Sequence, residues 1–482
     1  MTERPPEVVL DDLAAPVFAP HVQEILDSVA PMAADLRLVP HELQALAVAA
    51  EGIDDFGDDR YEEGLAVLCR ALRDDVELSA MGLVSQHTLL VQLLANRLRV
   101  QQELTRHPEI RDIEIEAPII VAGLPRTGTT HLHNLMSADP ALRSLPYWES
   151  LEPVPPDDER GAEPDPRRER CDLALGFMDD AMPHFKRMHE MTTDHVHEEI
   201  QLLAMDVSTM LFESVVPLPT YRDWWKATDQ TASYRYLKDV LRVLTHERGG
   251  ERWVLKSPQH LSCFPVLAEV FPDATFVVTH RDPVAVTLSM ATMVAYACRM
   301  NLARPDPVVT GAYWQDRVRD LLADCVRDRE ALPAAQTLDV RFDEFMADDL
   351  AMVERIYALA GQPWDDGVRS ALQAYLDGHP RGRHGGSHRA RVGRGGLRAG
   401  GPRERSALLL RAPAEPRGRP SPARRGQAAS SRGNLQAGFG RHARARPGAV
   451  PPWQGARGAE GARCSRCVQG GVGKKSRPHR CT

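Results

Sequence analysis

Pro118-Ile119-Ile120-Val121-Ala122-Gly123-Leu124-Pro125-Arg126-Thr127-Gly128-Thr129-Thr130-His131-Leu132-His133-Asn134-Leu135-Met136 decides how the rest of the chain is read. Its first six residues form a short, almost continuously apolar run, as a strand buried on both faces of a parallel sheet requires. Residues 124–128 make a loop. From Thr129 onward, Leu132, Leu135 and Met136 share one face of a helix. The two glycines and Thr130 follow the nucleotide phosphate-loop pattern at every fixed position but one, because Thr129 stands where nucleoside triphosphatases carry lysine. Backbone can still approach an anion closely at Gly128, and the N–H groups that open the helix point at it. The ammonium that would reach β- and γ-phosphates is missing. The loop is therefore expected to hold one phosphate of a nucleotide, with Arg126 supplying positive charge from inside it.

Working outward, Arg252-Trp253-Val254-Leu255 reads as a short strand that delivers Lys256 at its carboxyl end. Thr275-Phe276-Val277-Val278-Thr279 reads as another, followed at once by His280-Arg281-Asp282-Pro283, with Ser289 eight residues beyond Arg281. A third candidate is Thr337-Leu338-Asp339-Val340-Arg341, and helical patterns follow at 284–292 and 348–360. Strands alternating with helices predict the α/β class, a phosphate-loop-containing parallel sheet flanked by helices. Ligands of such sheets lie outside the carboxyl ends of the strands. Arg126, Lys256 and Arg281 are expected there, and Arg281 with Ser289 has the means to grip a second phosphate. Read alone, His280-Arg281-Asp282-Pro283 is equally an Arg–Asp turn. The tripeptide also resembles a kinase catalytic loop, but neither its Asn partner nor Asp-Phe-Gly follows.

The chain has 482 residues, 43% hydrophobic and 26% charged, enough for a large core. Its net charge of −8 hides a division: residues 386–482 hold 20 Arg and 2 Lys against 3 Glu, net +19, and residues 1–385 carry −27. Three cations at strand ends are notable in so acidic a body. The tail has no Ile, Tyr or Met, and it is expected to be disordered because it cannot bury enough apolar surface to offset its ordering entropy. The organisation expected is an N-terminal helical segment (1–115), a phosphate-loop-like domain (116–385) and this Arg/Gly/Pro-rich tail (386–482). Helical spacing at 62–72 and 89–100 makes the first segment a helical cap on the second. No run of about 18–20 apolar residues stands out, so no membrane-spanning segment is expected. The start lacks a basic and then apolar leader, and the eight cysteines are scattered, so a reducing, cytoplasmic setting is expected.

With these residues in place, the chain resembles the sulfotransferases that use 3′-phosphoadenosine 5′-phosphosulfate, in particular the bacterial branch that shares features with the tyrosyl-protein sulfotransferases. The likeness runs over roughly residues 40–385. It includes Asp55-Phe56-Gly57-Asp58, the 123–130 loop, Leu145-Pro146-Tyr147-Trp148-Glu149, Val254-Leu255-Lys256-Ser257-Pro258 and the Arg281-to-Ser289 spacing. The resemblance implies that Arg126, Thr127, Gly128, Thr129 and Thr130 bind the 5′-phosphosulfate and that Arg281 and Ser289 bind the 3′-phosphate. It puts Lys256 near the oxygen bridging phosphate and sulfate, and it implies no metal. The acceptor would be a hydroxyl, or an amine, on a small molecule or lipid.

Many cytosolic relatives place a catalytic histidine two residues after the lysine, where this chain has Pro258. By its place after the loop helix, Glu149 is the first candidate for the base, and His195, His197, Glu198 and Glu199 are the next. The His195-x-His197 pair lacks a third metal ligand in the sequence and is read as a solvated helix start. His379-Pro380-Arg381-Gly382-Arg383-His384-Gly385 resembles a basic loop that contributes to the 3′-phosphate site in relatives, and there the likeness stops. The Arg-, Gly-, Ala- and Pro-rich text that follows has the composition of a shifted reading frame in a GC-rich gene. Its rival is a basic arm for nucleic acid or anionic membrane. Cys464 and Cys467 have metal-ligand spacing without a second pair. Two other functions compete with sulfotransfer: a nucleotide phosphotransferase, disfavoured by Thr129, and nucleic-acid binding through the tail.

Overall fold

Apolar residues alternate in allegiance along the strand that precedes the loop. In the computed structural model, which describes residues 8–380 together with Arg389–Ala390, this strand is β2 (Ile119–Gly123), and all five of its residues are buried. Ile119 and Val121 enter one apolar cluster and Ile120 and Ala122 another, because successive side chains leave a strand on opposite faces. Each such side chain contributes about 1.5–3 kcal/mol by leaving water, which is why the run is apolar throughout rather than on every second residue.

Beside β2 lie β4 (Arg252–Ser257) and β5 (Thr275–His280), both parallel to it. The sheet is completed by β3 (Leu142–Arg143) at one edge and β6 (Thr337–Arg341) at the other, in the order β3-β4-β2-β5-β6, all parallel. A separate two-residue pairing joins β1 (Val9–Leu10) to β7 (Arg389–Ala390). Each neighbouring strand repeats the division seen in β2: Val254 and Val277 face one way, whereas Trp253, Leu255, Phe276 and Val278 face the other.

On the first face pack the helix Thr129–Met136, through Leu132, Leu135 and Met136, and the helix Asp349–Ala360, through Met352, Val353 and Ile356. On the second face the cluster continues into the N-terminal helices Pro40–Glu51, Tyr61–Asp74 and Ala80–Arg106. Those helices therefore share one core with the sheet. Ser79 caps the longest of them, accepting from the Gly82 N–H.

The helix Pro283–Asn301 corrects one sequence expectation. By length and composition it is long and apolar enough to cross a membrane. In the fold it runs beside the helix Pro307–Asp328, and Val286, Met290, Val294 and Cys298 are buried on it. The five described cysteines, Cys69, Cys171, Cys263, Cys298 and Cys325, are buried and free. Apart from Arg389–Ala390, the tail lies outside the described residues, as do Arg381, Gly382, Arg383, His384 and Gly385, the Cys464–Cys467 spacing and the reading of the tail as disordered.

Candidate active site

The loop after β2 is shaped by backbone that few residues adopt. Gly128 has φ +86° and caps the helix Thr129–Met136, and Arg126 has φ +68°, in the left-handed region where a side chain is strained. Gly123 is required for a different reason. A Cβ there would overlap the Thr279 hydroxyl at the end of β5 and press on Thr127 Oγ1 and Thr129 Cγ2, each at 3.1 Å. Thr127 ties the turn together, donating to the Leu124 carbonyl at 2.6 Å and meeting Thr279 Oγ1 at 2.8 Å.

Because β4, β2 and β5 are neighbours, their carboxyl ends bring Lys256, the loop and Arg281 to one edge of the sheet. Arg126 Nε donates to Ser289 Oγ at 3.0 Å, and its Nη1 donates to the Met188 carbonyl. Burial, followed by the charge of Arg281, lowers the pKa of Arg126. Arg281 Nη1 donates to the Arg126 carbonyl at 2.5 Å, and its guanidinium lies 4.1 Å from the Phe342 ring centroid. Ser289 thus holds Arg126 directly.

Lys256 is 2% exposed, and its Nζ reaches Thr130 Oγ1 at 3.3 Å and Glu198. Its backbone N–H donates to Glu199 Oε2 at 2.8 Å. The other oxygen of Glu199 accepts from His260, whose Nδ1 is 2.8 Å from the Tyr234 hydroxyl. Those interactions with His260 lower the pKa of Glu199 against the burial that raises it.

A cavity of about 1000 Å³ opens over this edge. Arg126, Gly128, Thr129, Thr130, Glu198 and Arg281 line one part, and His379 and Pro380, the start of the basic C-terminal loop, reach it too. Elsewhere the lining mixes apolar side chains, Met178, Met182, Met290, Met293, Val215 and Trp314 among them, with polar ones such as Glu190, Asp194, His195 and His197.

The carboxylate candidates separate sharply. Glu149 lies outside the cavity lining and is 1% exposed. Both of its oxygens accept from Arg143 Nη2 at 2.8 Å, and Arg248 Nη1 is 3.0 Å away. The structure does not bring Glu149 to Lys256; the pair it makes there is Glu198 with Lys256. Glu199 is committed to His260 and the Lys256 backbone.

His195 and His197 are a second correction. They precede the helix Ile200–Leu203 on extended backbone, where Val196 pairs antiparallel with Pro146. The Tyr147 N–H donates to the His195 carbonyl, and the His197 N–H donates to the Leu145 carbonyl. Residues two apart on extended chain face the same way, so both imidazoles turn into the cavity lining rather than to solvent. His189 joins them and was not anticipated: it arrives from a turn six residues upstream, and no spacing in the sequence announces it.

With the geometry established, the protein's class follows: a parallel α/β fold whose phosphate-type loop faces cations from the two adjoining strands. The sulfotransferase family pattern matches residues 118–366, and the chain belongs to that family. Among solved structures, sulfotransferase STF1 from Mycobacterium tuberculosis is 31% identical, covers 70% of this chain and 92% of its own, and superposes with a TM-score of 0.63. Sulfotransferase STF9 from Mycobacterium avium is 27% identical, covers 72% and 90%, and gives a TM-score of 0.65. The omega-hydroxy-beta-dihydromenaquinone-9 sulfotransferase Stf3 of Mycobacterium bovis is 24% identical over 287 residues, 55% of this chain and 68% of that protein.

Proposed function

We propose that the protein transfers the sulfuryl group of 3′-phosphoadenosine 5′-phosphosulfate to a hydroxyl on an acceptor with a large apolar body, a small molecule or lipid. The observation that carries this reading is the meeting of Arg126, Lys256 and Arg281 around a phosphate-type loop that lacks the nucleotide lysine. The donor set fits a ligand with two separated phosphates. The loop N–H groups and Arg126 would hold the 5′-phosphosulfate, and Arg281 the 3′-phosphate. Glu198 takes the proton of the acceptor hydroxyl, being the cavity carboxylate beside Lys256. Lys256 stabilises the charge that grows on the phosphate oxygen as its bond to sulfur breaks. The methionine-rich part of the cavity supports an apolar acceptor, since unbranched thioethers adapt to varied surfaces. So does the likeness to a relative named for a hydroxylated dihydromenaquinone. Free buried cysteines support a reducing, cytoplasmic setting.

The test has two arms. Adenosine 3′,5′-bisphosphate is expected to raise the melting temperature, and ATP with magnesium to raise it far less, because no lysine meets a γ-phosphate. Incubation with the donor and a library of hydroxylated lipids is expected to yield a product heavier by about 80 daltons, the mass of a sulfuryl group, with Lys256→Ala lowering kcat more than donor affinity. Equal protection by ATP would favour a phosphotransferase and overturn the reading.

A further inference from the structure

His189, His195 and His197 stand together in the cavity wall, and nothing in the transfer chemistry uses them. One nitrogen of each ring lies within 4.8 Å of one nitrogen of each of the others. The rings turn toward one another, with centroids 5.5 Å apart for His189 and His195 and 6.3 Å for His195 and His197. His197 Nδ1 is buried without a hydrogen-bond partner. An unpaired buried nitrogen costs free energy unless something fills it.

We propose that His189, His195 and His197 form a binding site for a divalent transition metal ion of the zinc type, with a fourth position open to the cavity. Three imidazoles with one open position is the arrangement of catalytic rather than structural zinc sites. Tetrahedral zinc–nitrogen bonds of about 2.0–2.1 Å require each nitrogen to move inward by at most about 0.9 Å from an even triangle with sides of 4.8 Å. The surrounding backbone helps: the Pro146–Val196 bridge fixes the carriers of His195 and His197. Lys256 and, at His189, Arg126 are charges that oppose a cation here; Lys256 is paired with Glu198, and the charge of Glu190 acts on His195 in the opposite sense. Imidazole donors select zinc, cobalt, nickel or copper over magnesium or calcium. The fourth position would take water or an oxygen of the acceptor.

Cobalt(II) titrated into the full chain provides the probe, because tetrahedral cobalt absorbs visible light far more strongly than octahedral cobalt. One intensely absorbing cobalt per chain is expected, displaced by zinc and not by magnesium. His195→Gln and His189→Gln should each weaken binding at least tenfold and remove the strong bands, and zinc should raise the melting temperature of the wild type but of neither variant. The two variants back each other up, since either one that melts cooperatively decides the question. His107 and His246 serve as the control, their rings being 5.1 Å apart with His107 43% exposed. The double variant His107→Gln with His246→Gln should bind cobalt as the wild type does. Weak octahedral absorption in the wild type, strong bands that survive His195→Gln, or bands lost only in the control would each overturn the site. These readouts use no donor and no turnover, so they stand apart from the sulfotransfer reading.

Discussion

Arg126 and Arg281 share a corner of the loop but are held differently. Arg126 is half-buried and fastened to Ser289 and Met188, whereas Arg281 is exposed, donates to the Arg126 carbonyl of the loop and lies over the Phe342 ring. If Arg281 grips a 3′-phosphate, Arg281→Ala removes a charge-assisted hydrogen bond worth about 1.5–3 kcal/mol. Titration calorimetry should then record roughly a tenfold or greater loss of affinity for adenosine 3′,5′-bisphosphate. Adenosine 5′-phosphate should bind wild type and variant alike, and Arg126→Ala should weaken both ligands. Equal weakening of the two nucleotides by Arg281→Ala would make it a turn residue only. Single residues were read unevenly from sequence. Lys256 was legible because it lies at the carboxyl end of a strand, one residue before Ser257 closes β4. Sequence placed Glu149 ahead of Glu198 by its position after the loop helix, and what separates them in the fold is the company each keeps: two arginines around Glu149, the lysine and the cavity beside Glu198.

Among elements, the junction of β2 with β5 is the tightest point next to the site. Gly123→Ala would drive a methyl group into the Thr279 hydroxyl, an overpacking expected to cost about 1–3 kcal/mol. Thr279→Ala removes the obstructing oxygen and its bond to Thr127, so alone it should destabilise, yet combined with Gly123→Ala it should cost less than the two single changes summed. Denaturant melts of the four proteins measure this coupling, and strict additivity would mean that the junction relaxes elsewhere. Elements with a strong period were legible. The helix expected from Thr129 is observed as Thr129–Met136, and the strand expected at 337–341 is β6 (Thr337–Arg341). The two-residue strand β3 (Leu142–Arg143) was not anticipated, since so short a segment carries no period, and it exists because the β4 edge offers it partners. The pair His195 and His197 reads from sequence as a solvated helix start, whereas its backbone is extended, a choice that pairing with Pro146 makes and local sequence does not.

Across the whole molecule, buried histidines link stability to pH. His133 is fully enclosed, bonded to the Val254 carbonyl at 3.1 Å, with its pKa pushed down to about 3 chiefly by burial. Its unfolded value is near 6.5, so between the two the unfolded chain binds the extra proton and stability falls as pH is lowered. Denaturant melts between pH 6.5 and 5, above the range where carboxylates titrate, should show this loss. His133→Gln should make it shallower by up to about 1.4 kcal/mol per pH unit, and an unchanged slope would mean that the site hydrates. The sequence by itself determined the α/β class, the loop and the cations at its rim, because hydrophobic period and glycine spacing are local properties that survive without neighbours. Only the tertiary structure decided which carboxylate stands beside Lys256 and that His189 joins a pair six residues downstream. Both depend on which segments of chain the core brings together, and that is settled by packing between residues far apart in sequence.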